Sequence, residues 1–174
     1  MSFPVARAVA EMYLADRLWI SVAMLHREHP ERGSFSKDEI RRKFEQTGLD
    51  SGTKDGSVSA HLSQHLVANV QPSTTKRYRM LFDTGHGLLR LFRPGDFVEP
   101  SRLHCKTFKQ IPARDDVPSQ YWPLLDWYAN WAGTPEAEVK WEDDPLIRLI
   151  GSGREVWADE HADEYVENLR REDD

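Results

Sequence analysis

The densest run of side chains able to make directed polar contacts is Lys54-Asp55-Gly56-Ser57-Val58-Ser59-Ala60-His61-Leu62-Ser63-Gln64-His65. Val58, Leu62 and Leu66 stand at helical spacing, so they share one face and leave Ser57, Ser59, Ala60, His61, Ser63 and Gln64 on the other. Short hydroxyls, an amide and imidazoles both donate and accept hydrogen bonds, which suits them to reading the polar edges of a ligand. A second set is cationic: Lys76, Arg77, Arg79, Arg90 and Arg93, joined by Lys54, offers positive charge to a polyanion. Nothing in the chain assembles a nucleophile with a base, so no enzyme is expected.

Other groupings carry less chemistry. His61 and His65 are four apart, as metal ligands can be, but no glutamate follows His61 and the cysteine is distant, so both read as polar surface residues. His104-Cys105 lacks a second ligand pair and reads as a partly buried thiol. Asp115-Asp116 and Asp143-Asp144 sit beside prolines and read as turn or helix-start residues. Gly85-His86-Gly87 has too few glycines, and no helix behind it, for a phosphate loop. No cofactor and no metal site is expected.

The elements that hold these residues follow from periodicity. Val5 to Glu28 has apolar residues close to helical spacing and ends at His29-Pro30. Ser36 and Glu39 form a capping-box pattern for a second helix, with Ile40 and Phe44 as its inner stripe and Phe35 ahead of it. A polar, glycine-containing stretch leads to a third helix over 57–69. The period then changes. Residues 77–82 and 88–93 read as strands around the turn 83–87, in which Arg77 and Arg79 point together while Tyr78, Met80 and Phe82 pack. Further on, 124–131 reads as a helix, 145–150 as a short helical turn, Gly151-Ser152-Gly153 as a hinge and 156–171 as a last helix.

Composition sets the class. Hydrophobic residues make up 39% and charged residues 30% of 174, as in a soluble globular protein. The single cysteine excludes an internal disulfide and fits a reducing cytosol. Arg7, Glu11, Asp16 and Arg17 interrupt the first helix, so neither a signal peptide nor a membrane span is expected, and the chain reads as cytoplasmic. The net charge of −6 hides a division: residues 1–114 hold 18 basic and 12 acidic side chains, residues 115–174 hold 5 and 17. A basic body with an acidic appendage remains open to a polyanionic partner.

The order helix, capped helix, polar connection, helix, β-hairpin resembles the winged helix-turn-helix family over roughly residues 5–100. The resemblance implies double-stranded DNA as the ligand and transcriptional control as the role. It places the third helix in the major groove and the hairpin, or wing, on the backbone or adjacent minor groove. Ser57, Ser59, His61, Ser63 and Gln64 would then meet bases, and Lys54, Lys76, Arg77, Arg79, His86 and Arg90 phosphates or the minor groove. Such a domain also serves as a protein-interaction module. A homodimer would make the recognised site a palindrome.

Five of six tryptophans fall at 122, 127, 131, 141 and 157, and the first three of these predict a small second core. The segment from Gly151 to Arg170, with Trp157 and Tyr165-Val166-Glu167-Asn168-Leu169-Arg170, resembles the C-terminal segment of prokaryotic antitoxins that partner PIN-domain ribonuclease toxins. The resemblance implies that Val156, Trp157, Tyr165, Val166 and Leu169 form an apolar stripe that seats in a toxin's groove. The alternative function is therefore an antitoxin-like interaction module; a helix docked on its own domain is the plainer possibility. The expected architecture is mainly α with a small β-hairpin: a winged helix-turn-helix at 1–100, a helical tryptophan-rich extension at 101–150 and an acidic tail at 151–174.

Overall fold

A computed structural model describes residues 11–72, 78–103 and 109–133. Contacts divide the chain into Met1–Thr134 and Pro135–Asp174, and the described residues all belong to the first unit. The expected helices after Pro135, the hinge, the acidic tail and the start of the first helix at Val5 lie outside the described residues.

Helix α1 (Leu14–Glu28) starts where the backbone leaves an extended Tyr13, at φ −61 and ψ 140. Leu18, Trp19, Ile20, Val22 and Ala23 are all enclosed, so the helix is buried nearly all round and forms the central post of the core. Two charged residues are buried with it, and both are paired. Arg17 donates from Nη1 to the carbonyls of Leu49 and Ser51, each at 2.8 Å. Asp16 accepts from Lys109 Nζ at 2.7 Å, and the same ammonium reaches Asp116 at 2.9 Å, fastening the 109–116 segment onto α1.

A two-residue strand β1 (Phe35–Ser36) precedes α2 (Lys37–Gln46). The capping box is complete: Ser36 Oγ accepts from the Glu39 amide at 3.3 Å, and Glu39 Oε2 accepts from the Ser36 amide at 2.9 Å. Arg32 grips the same carboxylate at 2.7 and 3.2 Å and, with the Ser36 amide and hydroxyl, holds its pKa down to about 2. Ser36→Ala is expected to cost about 1 kcal/mol, read as a lower urea midpoint at unchanged slope.

After α2 come α3 (Asp55–Ala60) and a wider turn, His61–His65, closed by the Leu66 amide on the His61 carbonyl at 3.1 Å. The helix expected over 57–69 thus starts two residues earlier and stops being regular at 60. Val67 then bridges to Leu81. Strands β2 (Leu81–Gly85) and β3 (Leu88–Leu91) form the hairpin, and β1 pairs with β3 from the other side, giving an antiparallel sheet of order β1-β3-β2. Sequence alternation suggests a first strand over 77–82 and a turn over 83–87. In the structure β2 lies later, and His86-Gly87 alone turns the chain, at φ 54 and 75. Leu89 and Leu91 face the core.

Helix α4 (Trp122–Ala132), with Pro123 in its first turn, buries Leu124, Leu125 and Tyr128. Trp19 meets Tyr128 edge-on at 5.4 Å, and the Tyr128 hydroxyl donates to the Phe92 carbonyl. Trp122, Trp127 and Trp131 pack on this same core, so the expected second core does not form there. A division at residue 100 does not match the packing either, since Val117 and Tyr121 also join the core. The architecture is mainly helical with a small antiparallel sheet.

His26 sits between Phe35 and Trp131, at ring-centroid distances of 4.9 and 4.7 Å, and is 2% exposed. Burial first, then the positive charges of Arg93 and Arg90, hold its pKa at about 4, against an opposing hydrogen bond to the Arg32 backbone. Unfolding restores the ordinary value of 6.5, so the unfolded chain takes up a proton that the folded chain refuses. This contribution is whole above pH 6.5 and is lost as pH falls toward 4, on the order of 3 kcal/mol. A pH series of urea melts should show the decline, and His26→Leu should flatten it.

Candidate nucleic-acid interface

The apolar stripe of α2, Ile40 and Phe44, turns inward, which leaves Lys37 and Arg41 one turn apart on a neighbouring line. Val58 and Leu62 bury the inner face of α3 and its wide turn, so Ser57 and Ser59 stand exposed and His61, Ser63 and Gln64 half-buried. The two helices then meet through their polar faces. Lys37 Nζ donates to Ser63 Oγ at 3.2 Å, and Arg41 Nη2 donates to Ser59 Oγ at 2.8 Å. Neither cation joins an ion pair among the described residues. Lys54 is exposed at the start of α3. The result is a face that presents cations, hydroxyls and imidazoles together.

What holds this face in place is Arg102, whose side chain is completely buried. Its Nε donates to the Val70 carbonyl at 2.7 Å, and Nη1 to Tyr78 at 2.7 Å and His65 at 3.3 Å; Nη2 takes the Gln64 carbonyl. One planar guanidinium therefore ties the wide turn at the end of α3 to the segment entering the hairpin. The Gln64 and His65 carbonyls have left the regular helical ladder, and the arginine takes them up together with those of Val70 and Tyr78.

Two arginines expected on phosphates are structural instead. Arg79 is 9% exposed; its Nη2 donates to the Arg102 carbonyl at 2.7 Å, and its amide is drawn to the Lys109 carbonyl at 2.9 Å. Arg90 is 4% exposed and is held in a fork by Asp96, at 2.6 and 2.8 Å, over the Phe82 ring at 4.4 Å. A guanidinium already bound to a carboxylate and covered by a ring is not presented to phosphate. Arg93 likewise lies over Trp131, at 4.2 Å. Of the hairpin candidates, His86 stands exposed at the tip. Lys76 and Arg77 lie outside the described residues, as do His104-Cys105, Asp143-Asp144 and the tail positions Val156, Trp157, Tyr165, Val166 and Leu169.

Sequence reasoning missed Lys37, Arg41 and Arg102. The first two had a signal, two cations four apart beside an apolar stripe; Arg102 had none, because its partners are distant carbonyls. A cleft of about 620 Å³ between α1 and α4, lined by Met24, Arg27, Glu28, Thr47, Tyr121 and Leu124, brings together no nucleophile and base. Among the described residues no group of three or more metal-ligating side chains forms, and no helix is long and apolar enough to cross a membrane. Comparison with known protein families, with curated proteins and with solved structures found no match.

Proposed function

We propose that this chain binds double-stranded DNA as a regulator of transcription, with the α2–α3 face against the duplex. One observation carries the reading: Lys37 reaches the half-buried Ser63 of the wide turn and Arg41 the exposed Ser59 of α3, without a carboxylate to neutralise either cation. Phosphate oxygens would take over both cations, because a charge-assisted contact is stronger than one to a neutral hydroxyl. Ser59 and Ser63, released from those contacts, would join Ser57, His61 and Gln64 toward base edges. His86 would touch the backbone or the adjacent groove from the hairpin tip. The element order, and a sheet in which β1 covers the outer side of β3, support a winged helix-turn-helix as the architecture. In this reading phosphate-binding charge sits on α2 and at Lys54, while Arg79 and Arg90 hold the hairpin's shape. The chain acts by binding and carries out no catalysis.

The test is fluorescence anisotropy with duplexes from the chain's own upstream region and with random duplexes, from about 50 to 200 mM salt. Specific binding that weakens steeply with salt is expected. No binding at the lowest salt would make the domain a protein-interaction module, and the antitoxin-like reading of the tail would then be the one to pursue.

A further inference from the structure

We infer that His61 and His65 together chelate a divalent transition-metal ion of the zinc, nickel or copper class. Their ring centroids lie 4.9 Å apart with the planes at 78°, so the two imidazoles stand close enough to share one ion. His61 Nδ1 lies 2.7 Å from the Ser57 carbonyl, a contact that requires a proton on Nδ1 and makes Nε2 the nitrogen with the lone pair. Metal-binding histidines are commonly oriented in this way, with the remote N–H on a backbone carbonyl. The backbone beneath is held as well. Both histidines belong to the wide turn closed by the Leu66 amide on the His61 carbonyl, and Arg102 pins the Gln64 and His65 carbonyls. Such turns cost helical regularity and recur at functional sites.

Spacing alone does not single out the pair; ring separation and the anchored imidazole do. Among the described residues no group of three or more ligating side chains forms, so the chelate is proposed on these two imidazoles alone. Two imidazoles with open positions suit nickel, copper or zinc better than magnesium or calcium, which prefer oxygen. The pair lies on the face proposed for the duplex, so bound metal and DNA would compete for His61. That competition rests on the duplex reading; the chelate does not.

The experiment titrates the full chain with nickel chloride, without DNA, at about pH 7.5. The histidine Cε1–H signals are followed by NMR and affinity by calorimetry. The His61 and His65 signals should broaden first, and H61Q and H65Q should each weaken binding at least about tenfold with unchanged circular dichroism. His29→Gln, at an exposed histidine outside the proposed face, should leave affinity unchanged. Broadening that begins at another histidine, or affinity that survives both H61Q and H65Q, overturns the proposal. Should one variant fail to fold, the other and the order of broadening in the unmodified chain still decide it.

Discussion

Replacing Arg102 with methionine is expected to destabilise the fold by at least about 4 kcal/mol. The reason is an asymmetry: a made hydrogen bond adds about 1 kcal/mol net, whereas a buried carbonyl left without its donor costs about 1–3 kcal/mol. Methionine fills much of the arginine's volume and supplies no donor, so Gln64, His65, Val70 and Tyr78 would all lose this partner at once. A domain of this size has only about 5–15 kcal/mol to lose. Arg102→Lys should recover part of the loss and no more, since an ammonium cannot present a planar fork to four carbonyls. Urea denaturation followed by tryptophan fluorescence measures this. A loss below about 1 kcal/mol for Arg102→Met would mean that the turn after α3 is held by something else.

The second large effect concerns binding. Lys37→Ala combined with Arg41→Ala should weaken duplex affinity about ten- to hundredfold, to a similar degree for specific and random sequences. The slope of log affinity against log salt should become shallower by about two, one for each phosphate no longer held. Stability should change little, because the two serines they touch are partly solvated on the protein surface. Arg79→Ala and Arg90→Ala should show the opposite profile, with lower stability and an unchanged salt slope in whatever fraction stays folded. Anisotropy against salt, paired with urea melts, separates the two sets. An unchanged slope in the Lys37/Arg41 double variant would take α2 out of the interface.

The contrast between these residues shows what the sequence reveals. Helix α2 is readable in full because its determinants are local: a capping box three residues apart and an apolar stripe four apart. The hairpin is readable as an element, but its register is not. Alternation puts Arg79 in a strand, while in the fold its amide goes to the Lys109 carbonyl, a partner from thirty residues later. Arg90 reads as exposed until Pro94-Gly95, with Gly95 at φ 98, turns Asp96 back onto it. The end of α3 is hidden for a related reason, since Arg102 takes carbonyls that a continuing helix would have used. The tryptophans of α4 read as core residues, yet as a core of their own, because nothing local says that Tyr128 meets Trp19. The polar side chains of α3 can be named from spacing alone. That Lys37 and Arg41 complete their face is a tertiary fact.

The most direct test of the duplex proposal is an NMR footprint, in which labelled full-length protein is titrated with a short duplex and backbone amide shifts are followed. The largest changes should map to Lys37–Arg41 and Lys54–Gln64, with a smaller change at His86 and little around Arg79 and Arg90. Shifts centred elsewhere, with α2 and α3 undisturbed, would contradict the account and move the binding surface to another part of the molecule.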